Sequence, residues 1–176
     1  MKTFPVLCLL LFVVSIASAF QTSDWVKFNS TVGNFSVLLP KQPTEQKKTT
    51  PTPYPSYTST VYTANVTGQL YLVGWVDYEP SYVFNTVKEL EANRDNMVKA
   101  IKGKLLTSNK TTFGTYQGLD FTGEFLVRDR QFLFKAKVFI VGKRPYMLTY
   151  VFPQGQESIP DGNRFFSSFR IEPKIS

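Results

Sequence analysis

The chain has 176 residues, 43% of them hydrophobic and 19% charged, a composition that favours a packed globular fold over disorder. It contains no histidine and one cysteine, Cys8, and carries a net charge of +7. These counts exclude a Ser-His-Asp triad, and, once the segment holding Cys8 is removed, also a Cys-His pair, a zinc site and a disulfide.

Met1 to Ala19 opens on Lys2, runs through an apolar core from Val6 to Val14 and closes on Ala17-Ser18-Ala19. That is the order of a secretory signal, with cleavage expected after Ala19 and no membrane span retained. Cys8 lies inside the apolar run, away from the small-residue site, so a lipoprotein signal is not expected. Phe20 to Ser176 then forms a single domain. Its basic residues are scattered rather than clustered, which argues against nucleic acid and only weakly for anionic partners.

Trp25 to Phe28 reads as a short strand, and after a turn at Val32-Gly33-Asn34 the alternation of Phe35, Val37 and Leu39 marks a second one. Glu45 to Thr58 is polar and holds Pro51, Pro53 and Pro55, as an edge segment or loop does. Thr58 to Val66 and Leu70 to Tyr78 form a hairpin about Gly68. Val83, Val87, Leu90, Met97 and Ile101 recur at helical spacing, predicting a helix over Tyr82 to Gly103 with Ser81 as its cap and Gly103 as its stop. Arg94 falls on the apolar stripe of that helix. Either its stem packs on the sheet while the guanidinium reaches water or a carboxylate, or it marks an anion site between helix and sheet.

Two long alternating runs follow, and a reversal at Asp129-Arg130 would set Phe125 opposite Phe134, Gly123 opposite Ala136 and Glu124 opposite Lys135. A three-residue loop at Gly142-Lys143-Arg144 would then place Tyr146, Leu148, Tyr150 and Phe152 on the face of Phe134 to Ile140. Asp161 can cap a short last helix holding Phe165 and Phe166. The expected class is α+β, an antiparallel β-sheet flanked by helices.

Several landmarks resemble the PsbP-like family. They are Trp25 with Phe28, the stretch from Gly33 to Pro40, Asp77-Tyr78 ahead of the long helix, Gly142-Lys143-Arg144-Pro145-Tyr146, and Phe165-Phe166-Ser167-Ser168-Phe169. The likeness is to the exported bacterial members, and it implies an α/β/α sandwich that serves as a binding scaffold rather than a catalyst. The roles of other members, in a photosystem or with a nuclear GTPase, are not implied for a chain with a secretory leader.

Chemistry must come from what remains. Asp77 and Glu79, two apart on a strand, would share a face, either as an acid-base pair of a hydrolase or as two solvated acids beside a turn. No Asp-rich calcium loop occurs, so no metal and no cofactor are expected. Tyr54, Tyr57, Tyr62, Tyr71, Trp75, Tyr78 and Tyr82 crowd one region, either as an exposed platform for a peptide or carbohydrate or as ordinary core. Four Asn-X-Ser/Thr matches, at Asn29, Asn34, Asn65 and Asn109, are incidental in so Thr- and Ser-rich a chain.

The reading is a non-enzymatic module, secreted or periplasmic and monomeric. It would bind a protein or envelope component through a sheet edge or an aromatic loop, with Tyr54, Tyr57, Tyr78 and Arg94 as candidate binding residues. The alternative is a small-ligand binder or carboxylate-dependent hydrolase with a pocket between helix and sheet.

Overall fold

The computed structural model describes residues 24–50, 56–83 and 85–172, and of residue 50 only the backbone. The expected leader at 1–19 and Tyr54 lie outside the described residues. Seven strands form one antiparallel sheet: β3 (Thr44–Thr50), β4 (Tyr57–Val66), β5 (Gln69–Tyr78), β6 (Lys104–Phe113), β7 (Tyr116–Val127), β8 (Arg130–Val141) and β9 (Arg144–Pro153). Their spatial order is β3-β4-β5-β9-β8-β7-β6. A second sheet of order β1-β2-β10 is built from β1 (Val26–Ser30), β2 (Phe35–Leu39) and β10 (Arg170–Ile171). The two helices are α1 (Thr86–Ala100) and α2 (Ile159–Ser168).

The expected α/β/α sandwich is not what forms. Strand makes up 58% and helix 18% of the described residues, and the fold is β-rich. The reason lies in the first strands and the tail, which pair with each other instead of joining the large sheet. Together with α2 this small sheet covers one face of the large one, where a sandwich would need a full layer of helices. Only the opposite face has a helix alone, α1.

Each face has its own core. Phe35, Val37 and Leu39 from β2 meet Tyr71, Val73 and Trp75 of β5 on one side, closed by Phe165 and Phe169. On the other, Leu90 of α1 packs with Phe121, Phe134, Ala136, Val138 and Val151. The strand β5 is apolar on both faces, with Tyr71, Val73 and Trp75 toward the small sheet and Leu70, Leu72 and Val76 toward the side of α1.

Two registers differ from expectation. Val127 pairs with Arg130, so the β7–β8 turn is the two residues Arg128-Asp129, both at positive φ (45° and 63°), as a type I′ hairpin requires. Phe125 consequently faces Phe132, and Gly123 faces Phe134, whose ring occupies the space a side chain at 123 would take. Glu124 lies opposite Leu133 rather than Lys135. Val141 pairs with Arg144 around Gly142-Lys143, one residue fewer in the loop than expected. That single residue turns Tyr146, Leu148, Tyr150 and Phe152 to the α2 side, away from Phe134 and Val138.

Helix α1 begins later than its apolar stripe suggests. Asn85, not Ser81, is the cap, its Oδ1 accepting from the amides of Val87 and Lys88 at 3.0 and 3.2 Å. At the other end the amides of Lys102 and Gly103 donate to the carbonyls of Lys99 and Val98, a Schellman pattern whose left-handed residue is Lys102 (φ 52°). For α2 the cap position is Ser158, and Asp161 accepts from its hydroxyl at 2.6 Å.

Candidate functional site

A single helix cannot cover seven strands. The sheet is about 30 Å wide at the usual strand spacing, whereas a helix with its side chains spans about 10 Å. Helix α1 packs chiefly over β7, β8 and β9. Beside it the same face of β4 and β5 stays uncovered, although β5 carries Leu70, Leu72 and Val76 there.

The result is a groove of about 570 Å³ between α1 and the sheet. Its floor is Val61, Leu70, Leu72, Val76 and Met147, and its wall is Asn93, Asn96, Met97, Ala100 and Ile101 of α1. Phe125 and Ile101 stand at one end, Tyr57 and Tyr78 at the other. Among the described residues no Asp, Glu, Lys or Arg side chain lines it.

The tyrosine end is fixed by a buried carboxylate. Glu89, in the first turn of α1 where the helix dipole favours a negative charge, accepts from the Tyr78 hydroxyl, from Tyr82 at 3.2 Å and from Asn93 Nδ2 at 3.1 Å. Burial, and then Glu89, push the Tyr78 phenol well above its ordinary pKa, so it stays a neutral donor. Tyr57 faces Tyr78 across β4 and β5 with ring centroids 6.0 Å apart.

Two of the candidate binding residues, Tyr57 and Tyr78, therefore meet at the groove. Arg94 does not join them. Its Nε donates to Asp95 at 2.8 Å and its Nη1 to Ser108 Oγ of β6 at 3.0 Å, on a side of α1 away from the groove. Of the aromatic platform, Tyr71 and Trp75 are core residues, 2% and 3% exposed. The groove-lining Leu70, Leu72 and Met147 are not singled out by sequence, and Met97 only as part of the helix's apolar stripe. The available signal was a β5 apolar on both faces beside one helix too narrow to cover it.

Asp77 and Glu79 do not form a free pair. Asp77 Oδ1 accepts from Arg144 Nε at 2.7 Å and its Oδ2 from Trp75 Nε1 at 2.8 Å, while Glu79, beyond the end of β5, accepts from Ser56. Arg144 Nη1 also donates to the carbonyl of Val32 at 3.0 Å, so this ion pair ties the small sheet to the large one. A polar cleft of about 530 Å³ beside it holds Asp77, Lys143, Arg144 and Glu172. Among the described residues no group of three or more acids, histidines or cysteines is placed to hold a metal, and no helix is long and apolar enough to cross a membrane.

No family model matches the chain, and no curated protein matches it. Among solved structures, a Pseudomonas aeruginosa protein of unknown function is similar over 79% of this chain and 88% of its own, at 7% identity and a TM-score of 0.41.

Burial leaves one pH signature. It raises the phenols of Tyr71, Tyr78, Tyr146 and Tyr150 above the ordinary value, with further upward pushes from Tyr150 on Tyr71 and from Glu89 on Tyr78. The unfolded chain then gives up these protons first. Their contribution to stability is intact below about pH 10 and is lost as pH rises beyond it. With no imidazole to titrate, the melting temperature is expected to stay level from about pH 6 to 9 and to fall above about pH 10. Tyrosinate absorbance should rise together with unfolding; ionisation of all the tyrosines near pH 10 in a folded protein would contradict the burial.

Proposed function

We propose that this protein is a binding module that takes an elongated apolar small molecule with one uncharged polar end into the groove between α1 and the sheet. The observation that carries the reading is the lining: an open apolar trough with neutral hydrogen-bonding groups at Tyr57, Tyr78 and Asn93 and, among the described residues, no ionised side chain along it. Its volume falls within the range of small-molecule sites, roughly 300 to 1,000 Å³. An ionised headgroup would find no opposite charge along the lining, and a hydroxyl or ester would meet the Tyr57 hydroxyl and the Asn96 amide, since Tyr78 and Asn93 already donate to Glu89.

Asp77 gives no comparable support to a hydrolase, because its two oxygens are taken up by Arg144 and Trp75. The expected result is saturable binding of the dye N-phenylnaphthylamine, seen as enhanced fluorescence and displaced by decanol. Dye fluorescence that rises without saturating, or that decanol leaves unchanged, would refute the reading.

A further inference from the structure

The seven large apolar residues most exposed on the described surface are not evenly spread. Three of them, Leu106 (47% exposed), Leu126 (69%) and Val127 (46%), lie at one end of the sheet, where α1 runs into β6 and where β7 turns into β8. The cross-strand pairs Lys104 with Glu124 and Val127 with Arg130 fix that neighbourhood, and the break in pairing between Leu105 and Thr107 leaves Leu106 outside the ladder. Leu126 and Val127 are successive strand residues on opposite faces, so the tip of this hairpin is apolar on both sides, with Leu106 further back on the neighbouring strand; so loose a cluster needs an explanation that isolated exposed residues do not.

Cations surround the cluster. Lys102, Lys104, Arg128 and Arg130 are all exposed there. Among the described residues, Asp129 in the turn and Glu124 stand against them, and the latter is engaged by Gln131 at 2.7 Å and Lys104 at 3.7 Å. The local excess is positive, and so is the whole chain at +7. Exposed leucine and valine framed by arginine and lysine suit the boundary between lipid headgroups and acyl chains, where apolar side chains enter and cations stay with anionic headgroups.

We propose that this end of the molecule, the β7–β8 turn with Leu106 and the α1–β6 junction, docks on an anionic lipid surface. The proposal goes beyond the groove reading and does not depend on it. If both hold, the groove end formed by Ile101 and Phe125 sits beside the docked edge, and an apolar ligand can pass between membrane and groove without crossing bulk water.

The test is co-sedimentation of the full chain with vesicles of phosphatidylcholine alone or with a third phosphatidylglycerol. The comparisons are Arg128→Glu with Arg130→Glu, and Leu126→Ser with Val127→Ser, each checked for an unchanged circular dichroism spectrum. Every form shares the N-terminal segment, so differences report the tip. The wild-type chain is expected to bind anionic vesicles at least about tenfold more tightly than neutral ones, with that preference lost at high salt. The charge-reversed pair should lose about tenfold or more and the serine pair should also bind more weakly. Equal binding to both vesicles, binding unaltered in both variants, or no vesicle binding with self-association of the chain instead, would overturn the proposal. Dye binding in the groove is measured without vesicles, so either idea can fail alone.

Discussion

Phe35→Ala is expected to lower the unfolding free energy by about 3 to 5 kcal/mol, the usual cost of emptying a fully buried phenylalanine site. Phe35 is 0% exposed and its ring neighbours Phe28, Tyr62, Trp75, Tyr146 and Phe169, with centroids between 5.4 and 6.4 Å away. Phe28 belongs to the small sheet, Tyr62, Trp75 and Tyr146 to the large one, and Phe169 follows α2. One side chain thus joins the small sheet and the end of α2, which β10 already links by backbone pairing, to the large sheet, with which neither shares a ladder. For a domain whose total stability is of order 5 to 15 kcal/mol, the loss is a large fraction. Urea unfolding followed by Trp25 and Trp75 fluorescence measures it, with Val83→Ala, at a site 86% exposed, as the control expected to change little. A loss for Phe35→Ala as small as that of the control would mean the small sheet does not pack on the large one.

Leu72→Asp is expected to weaken dye and decanol binding by at least about tenfold, because a ligand lying on the groove floor would have to strip water from a carboxylate that has no partner there. Leu72 is half-buried between Thr63 and Thr149 on the neighbouring strands, in the middle of the groove. The substitution also removes apolar contact from the sheet, so a second variant separates blocked binding from poor folding. Ala100 is exposed on the last turn of α1 and lines the groove from the outside. Ala100→Trp places a large ring over the groove without opening a cavity in either core, and it should reduce binding while leaving the unfolding midpoint nearly unchanged. Full affinity in both variants would place the dye elsewhere.

The sequence made some of this legible and hid the rest for identifiable reasons. The β4–β5 hairpin is read nearly to the residue because Thr67 and Gly68 form a turn between two β-branched and aromatic runs, and both take positive φ. The β7–β8 register is displaced by two because nothing in Arg128-Asp129 announces a left-handed pair the way Asn-Gly would. The displacement is even, so the faces stay correct even though the partners do not. At Gly142-Lys143 the displacement is odd, and four large side chains of β9 change sides. Strand β6 was not identified at all: Lys104, Asn109, Lys110 and three threonines give it little apolar pattern, as befits an edge strand guarded by charge.

The fold class was misjudged for a related reason. The two N-terminal strands are legible singly, but not that they pair with each other and with β10, two residues at the far end of the chain, apart from the large sheet. Local patterns carry no record of so distant a partner. The site shows the same division. Tyr57 interrupts a polar stretch and Tyr78 ends an aromatic strand, so both are legible as aromatics; a pocket between helix and sheet is legible only as the alternative reading, because its lining depends on how far a single helix reaches across the strands.

The groove contains its own reporters. The chain has three methionines, Met1, Met97 and Met147, and the latter two stand on opposite sides of the groove, one on α1 and one on β9. With methionine methyl groups labelled with carbon-13, decanol is titrated into the protein and the methyl spectrum followed by NMR. If the groove is the binding site, the Met97 and Met147 signals move together and saturate at one shared dissociation constant. If decanol leaves both in place, or shifts them without saturation, the groove does not hold a ligand of this kind.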